Sequence, residues 1–133
     1  MSAGAPRVAV LIPCYNEEVA IPRVVAAFRA ALPDAAVYVY DNNSRDRTRE
    51  VAAAAGAVVR TEALQGKGHV VRRMFADIDA DVYLLVDGDD TYDASAAPQL
   101  IEALVEGDLG GRFTRRFGPE GMAVEIRFPL QGA

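Results

Sequence analysis

Asp81-Val82-Tyr83-Leu84-Leu85-Val86-Asp87-Gly88-Asp89-Asp90 is the stretch whose reading decides the fold. A strand-like apolar run ends in three acids within four positions, Asp87, Asp89 and Asp90. A strand apolar on consecutive residues is buried on both faces, the habit of parallel sheets covered by helices. Carboxylates delivered at its C-terminal end stand at the rim where open α/β sheets bind their ligands. Three such groups repel one another, which makes most sense around a divalent cation. Oxygen donors of this kind suit Mg²⁺ or Mn²⁺, ions that commonly hold nucleotide phosphates. Asp and Gly also make ordinary solvated turns, but the apolar run directly before them favours a site. An EF-hand loop begins with the same Asp-x-Asp. Here its sixth position is Tyr92 instead of Gly and its twelfth is Pro98 instead of Glu, which excludes it.

Upstream of this stretch, strands and helices alternate. Arg7 to Pro13 reads as a buried first strand. From about Glu17 to Leu32 the apolar residues Val19, Ile21, Val24, Val25, Phe28 and Leu32 recur at helical spacing, with Pro22 near the first turn. Ala36 to Tyr40 is a second strand, and Asp41-Asn42-Asn43-Ser44 a turn. Asp46 is placed to cap a helix over about Arg47 to Ala55, closed by Gly56. Ala57 to Arg60 makes a short third strand, and Gly66-Lys67-Gly68 opens a helix running to about Ile78. A last helix is expected from about Ser95 to Val105. This alternation predicts a mostly parallel sheet with right-handed crossovers. It also brings Tyr15-Asn16-Glu17, Asp41-Asn42-Asn43-Ser44 and Asp87 to Asp90 to one edge.

Composition narrows the function. The 133 residues are 51% hydrophobic and 25% charged, which suits one globular domain. A net charge of −5 argues against nucleic acid as a partner. No apolar run approaches the roughly 20 residues needed to span a bilayer, and no signal peptide is visible. A single cysteine, Cys14, fits a reducing compartment. The expectation is therefore a cytoplasmic protein.

Each rim motif has a plainer reading beside the functional one. Pro13-Cys14-Tyr15-Asn16-Glu17 lacks the G-x-G-x-x-G of a dinucleotide site. Its tyrosine suits stacking on a base, while Asn16 as N-cap, with Glu17 and Glu18 on the helix dipole, is the structural alternative. Asp41 can accept from a base or ribose, or merely shape the turn. Gly66-Lys67-Gly68 offers a helix N-terminus and a cation to an anion, without the spacing of a Walker A loop. His69 reads as a surface residue and Cys14 as a small apolar filler.

Ile12-Pro13-Cys14-Tyr15-Asn16-Glu17, Asp41-Asn42-Asn43-Ser44-Arg45-Asp46-Arg47-Thr48, Gly66-Lys67-Gly68 and Asp87-Gly88-Asp89, in this order, resemble a family-2 glycosyltransferase. The branch they resemble contains the polyprenyl-phosphate (dolichol-phosphate) mannose and glucose synthases. The resemblance covers about residues 7–106 and implies the GT-A fold, a Rossmann-like, mostly parallel sheet flanked by helices. It implies that Pro13, Tyr15, Glu17 and Asp41 hold the nucleoside and that Lys67 lies near the nucleotide pocket. Asp87 and Asp89 match the pair that binds Mg²⁺ or Mn²⁺ and the donor diphosphate. Leu109-Gly110-Gly111-Arg112 resembles a stretch whose arginine, here Arg112, meets an acceptor phosphate. The implied reaction is metal-dependent and inverting, and moves a hexose from a nucleotide-diphosphate sugar of the GDP-mannose or UDP-glucose type. The implied acceptor is a polyprenyl phosphate, met at the inner face of the membrane.

Residues 1–106 therefore read as the nucleotide-sugar-binding α/β domain. Residues 107–133 hold six of the eleven glycines and four arginines, and read as an atypical tail of the same domain. Phe117 to Ala133 matches nothing recognisable in the family, and Ala123 to Phe128 is expected as an edge strand. The acceptor side of the fold is expected to be truncated, which favours a homodimer burying the open flank. The second reading is a remnant that binds nucleotide sugar without transferring it.

Overall fold

The computed structural model describes residues 7–88, 94–99 and 101–102, together with the strands at 113–117 and 122–126. Asp89, Asp90 and Arg112 lie outside the described residues. Strands β1 (Val8–Cys14), β2 (Ala36–Asp41), β3 (Val58–Thr61) and β4 (Val82–Leu85) alternate with helices α1 (Ile21–Ala31), α2 (Thr48–Ala54) and α3 (Lys67–Asp77). Strands β5 (Phe113–Phe117) and β6 (Met122–Ile126) complete a six-stranded sheet of order β3-β2-β1-β4-β6-β5. The first four strands are parallel, while β6 runs antiparallel to both β4 and β5.

Because both faces of the inner parallel strands are covered, β1, β2 and β4 carry apolar residues on consecutive positions. Val10 and Ile12 of β1 join Val24, Val25, Phe28, Val39 and Leu84 in the core shared with α1 and α2. Ala9 and Leu11 point the other way, onto Val70 and Met74 of α3, with Tyr40 and Tyr83 beside them. In this way β1 is the floor of two cores at once. The chain leaves β1 for β2 and β3, then returns to pair β4 on the other side of β1. That reversal makes the C-terminal ends of β1 and β4 the crevice where open sheets receive ligands.

Three expectations are corrected. The first helix begins at Ile21, with Ala20 as N-cap and no side-chain cap, so Asn16 is not its cap. Asn16 is left-handed (φ 53°), and the N–H groups of Asn16, Glu17 and Glu18 donate to Ser44 Oγ, Thr48 Oγ1 and Asp46 Oδ2. Donors satisfied across the loops have no need of a helical turn, and Val19, assigned to the apolar face, is 75% exposed. The last strand, expected at the edge, lies inside the sheet between β4 and β5. With it the flank of β4, the premise of the expected dimer, is already filled. Finally, the helix expected at Ser95 starts as a 3-10 turn over Ala94–Ala96 against α1, and of its continuation only 97–99 and 101–102 are described.

Candidate functional site

At the C-terminal ends of β1 and β4, Pro13, Cys14, Tyr15, Glu17, Asn42, Gln65, Gly66, Lys67, Val70, Asp87 and Gly88 enclose a cavity of about 310 Å³. Of the residues singled out from the sequence, Pro13, Tyr15, Glu17, Lys67 and Asp87 line it together. Tyr15 follows β1 directly and leaves half its surface free (49% exposed), an aromatic face open at the rim. Asp87 follows β4, and Lys67 opens α3. The ammonium of Lys67 donates to Asp87 Oδ1 at 2.6 Å, with the lysine side chain 58% exposed.

This lysine stands in an electrostatically poor place. A cation at the first position of a helix faces the positive end of the helix dipole, a cost of about 0.3–1 kcal/mol at the surface. The Asp87 carboxylate offsets it. The wall carries two carboxylates, Glu17 and Asp87, and one ammonium, so the positive character is local to Lys67 and the start of α3, where an anion would be received.

The turn after β2 holds the rim. Asn42 Nδ2 donates to the carbonyls of Glu62 (2.8 Å) and Leu64 (2.9 Å), while Asn42 Oδ1 accepts from Gln65 Nε2 (3.1 Å) and Gly66 N (2.8 Å). Asn43, left-handed at φ 71°, donates to Ala63 O and Gln65 Oε1. On the other side Asn16 Oδ1 accepts from Arg45 N at 2.8 Å, and Asp46 accepts from Glu18 N and from both the N–H and the hydroxyl of Thr48. Burial works against the charge on Asp46, yet these donors hold its carboxyl below its ordinary value. The N-cap of α2 is Arg47, without a side-chain cap bond, so the capping expected of Asp46 is corrected: Asp46 holds Thr48 just ahead of the helix and ties down the loop after β1.

A second brace runs behind the 62–66 loop. Tyr40 Oη donates to Asp77 Oδ2 at 2.8 Å, Arg73 Nε donates to the same oxygen at 3.0 Å, and Arg73 Nη1 donates to Glu62 Oε1 at 3.3 Å. Glu62 Oε2 then accepts from Leu64 N at 2.7 Å. The Tyr40 hydroxyl, with Arg73 and Arg60, holds Asp77 below its ordinary range against the effect of burial. Burial, and donation to that carboxylate, push the Tyr40 phenol up.

Asp41 is placed differently from the other candidates. It is fully buried and is not part of the cavity wall. Its Oδ2 accepts from Ser44 N at 2.9 Å, whereas its Oδ1 is buried without a hydrogen-bond partner. Cys14 does line the cavity, but burial and the surrounding carboxylates, Glu17 first, push its thiol far up and favour the neutral form. A Cβ at Gly88 would stand 2.7 Å from Cys14 Sγ, so a side chain there forces a neighbour to shift. His69 is exposed, as expected. Asn42 and Gln65 were missed as wall residues. Only the turn-forming character of Asn42 hinted at its role.

Among the described residues no three His, Cys, Asp or Glu side chains gather into a metal cage. A divalent ion held by one or two carboxylates and completed by substrate phosphates and water needs no such cage. Asp87 fits that mode. It is a hard oxygen donor on the cavity wall, and one of its oxygens already has a cation, the Lys67 ammonium, at 2.6 Å. Among the described residues no helix is long and apolar enough to cross a membrane.

Known proteins share the sequence and the fold. The family model described as "Glycosyl transferase family 2" matches residues 9–131. The match therefore runs through most of the Gly- and Arg-rich tail, including most of the stretch from Phe117 onward that matches nothing recognisable by motif. Protein RfbJ of Shigella flexneri is 58% identical over 102 residues, 77% of this chain and 79% of that protein. Glycosyltransferase AglJ of Haloferax volcanii is 41% identical over 80% of this chain but only 36% of its own length. The dolichol-phosphate mannosyltransferase of Pyrococcus furiosus is 29% identical, over 82% of this chain and 34% of its own. The chain thus spans most of the first of these relatives and about a third of the other two. Glucosyl-3-phosphoglycerate synthase from Mycobacterium tuberculosis, crystallised with Mn²⁺, UDP-glucose and phosphoglyceric acid, superimposes with a TM-score of 0.72 at 27% identity. That likeness covers 84% of this chain and 43% of the synthase.

Proposed function

The chain belongs to glycosyl transferase family 2, and from that premise we propose that it transfers a hexose, with inversion, from a nucleotide-diphosphate sugar to a polyprenyl phosphate. The observation that carries this reading is the single cavity on which an exposed aromatic ring, Tyr15, and a cation–carboxylate pair, Lys67 and Asp87, converge. A base needs a stacking face and a diphosphate needs positive charge. Both are supplied at the crevice between β1 and β4.

In this reading Pro13, Tyr15 and Glu17 hold the nucleoside, and the unpartnered Oδ1 of Asp41 supports adding it to that set. Lys67 and the N-terminus of α3 orient the donor diphosphate. Asp87, with Asp89 two residues on, would hold Mg²⁺ or Mn²⁺, which when bound neutralises charge on the leaving diphosphate. An acceptor oxygen attacks the anomeric carbon from the face opposite the diphosphate. The new C–O bond forms as the old one breaks, and the nucleoside diphosphate departs with the electron pair. A phosphate acceptor is already anionic near neutral pH, so no general base is required. It does need a cation to seat it, the role proposed for Arg112. The reaction would take place on the cytoplasmic side of the membrane, where the protein would sit peripherally.

Calorimetric titration with UDP-glucose and GDP-mannose, with and without Mn²⁺, tests this on the wild type and on Asp87→Ala and Asp89→Ala. Metal-dependent binding of one donor, lost in both variants, is the expected result and names the base. Absence of binding by either donor to the folded protein would sink the proposal for these donors. Donor binding without turnover on a prenyl phosphate would leave only the nucleotide-sugar-binding part of it standing.

A further inference from the structure

Resting on that reading, we infer that Lys67 is an exchangeable counter-ion, which occupies Asp87 in the empty site and passes to the donor diphosphate when a divalent ion takes the carboxylate. The observations that carry this concern one residue pair and its surroundings. Lys67 Nζ sits 2.6 Å from Asp87 Oδ1, on the wall of the cavity. An oxygen engaged by an ammonium at that distance cannot offer the same lone pair to a metal ion. The second oxygen of Asp87 could still take a metal ion, but the ion would then lie beside the ammonium on the same carboxylate and be repelled by it, so the two cations oppose each other there.

The lysine is able to leave. Its side chain is more than half exposed, and four rotatable carbons let its head move while its backbone stays fixed. That backbone is anchored by its neighbour, since Gly66 N donates to Asn42 Oδ1 at 2.8 Å and Gly66 O accepts from His69 and Val70. Once off Asp87 the ammonium would stand at a helix N-terminus without its carboxylate, which is unfavourable unless an anion arrives. A diphosphate supplies that anion. Metal and donor then favour each other beyond any direct contact between them, because each relieves a charge the other leaves exposed. Such coupling is reciprocal.

The test is metal binding in the absence of any sugar donor. Free Mn²⁺ is followed by its electron paramagnetic resonance signal during titration of the wild type, Lys67→Met, Lys67→Arg and Asp87→Asn. An exposed ion pair of this kind is worth about two- to fivefold in an equilibrium constant. Lys67→Met is therefore expected to bind Mn²⁺ about two- to fivefold more tightly than wild type, while Lys67→Arg, which keeps the charge, stays close to wild type. Repeating the titration with UDP present should show the tightening of Mn²⁺ by nucleotide reduced in Lys67→Met by a similar factor. Equal or weaker Mn²⁺ affinity in Lys67→Met, or no detectable binding in either, overturns the inference. If wild type binds UDP and Mn²⁺ but Lys67→Met shows no gain, the counter-ion exchange alone is wrong. If wild type binds neither, the donor-site reading falls and takes the exchange with it.

Discussion

Asn42 Oδ1 accepts the backbone N–H of Gly66 at 2.8 Å, so a side chain at the end of β2 sets where α3 begins. The same amide makes three further hydrogen bonds to the 62–66 loop and thereby uses its full bonding capacity. Asn42→Ala would strip the loop of these partners and leave buried carbonyls unpaired, at a cost of about 1–3 kcal/mol. We expect a lower denaturation midpoint and weaker donor binding from one substitution. Asn42→Asp keeps the acceptor for Gly66 but turns a buried carboxylate oxygen onto the carbonyls of Glu62 and Leu64, so it should cost at least as much as Asn42→Ala. Chemical denaturation and calorimetry on the three proteins check this order.

Tyr15 and Asp87 should separate by readout. Loss of a stacking ring costs about 1–3 kcal/mol per base, so Tyr15→Ala should weaken UDP and UDP-sugar alike by roughly 5- to 150-fold with no change in stability. Asp87→Asn should leave metal-free nucleotide binding largely intact and abolish its enhancement by Mn²⁺. An Asp87→Asn variant that still responds to Mn²⁺ would remove Asp87 from the metal site.

Gly88→Ala places a methyl 2.7 Å from Cys14 Sγ and 3.5 Å from both Ile12 Cγ2 and Ile21 Cδ1. Overpacking of this kind costs about 1–3 kcal/mol. The double variant Cys14→Ala/Gly88→Ala removes the sulfur that the methyl meets and should recover much of that loss. A double-mutant cycle measured by urea unfolding gives the coupling directly. Additive effects would mean that the clash lies elsewhere.

Acid should weaken the Tyr40–Asp77–Arg73 brace. Asp77 titrates below its ordinary value of 3.8 in the folded protein. Near and below that value the unfolded chain binds more protons, so this contribution is complete above about pH 4 and is lost as pH falls through the lower folded value. Tyr40→Phe deletes the leading donor to Asp77. It is therefore expected to destabilise the protein by roughly 1–2 kcal/mol at pH 7, with a smaller difference from wild type at pH 3. A constant difference across that range would show that the hydroxyl acts only through packing.

How much of this could be read in the sequence follows from what each residue responds to. The apolar runs of β1, β2 and β4 were legible because a strand buried on both faces leaves no polar position to confuse the pattern. Asp87 and Tyr15 were legible because they follow such runs directly. The start of α1 was not. Asn16 and Glu17 look like a helix cap, yet their N–H groups are claimed by Ser44 and Thr48, some thirty positions away in the chain. The fourfold bonding of Asn42 was hidden for the same reason, since its partners belong to another loop. β5, Phe-Thr-Arg-Arg-Phe, has no apolar run, and it is a strand by virtue of its pairing with β6.

The insertion of β6 has a consequence for the nascent chain. β4 finds its parallel partner, β1, among residues already synthesised, whereas its antiparallel partner starts at Met122. At roughly 5–20 residues per second, the ribosome takes about 2–8 s to travel from the end of β4 to the end of β6. For that interval one ladder of the buried, apolar strand β4 has no partner, which is the arrangement that recruits strands from other chains. A chain ended at Glu102 freezes that moment and should aggregate where the 133-residue protein stays dispersed, as light scattering would show. The late strand is then a guard against misassembly during birth.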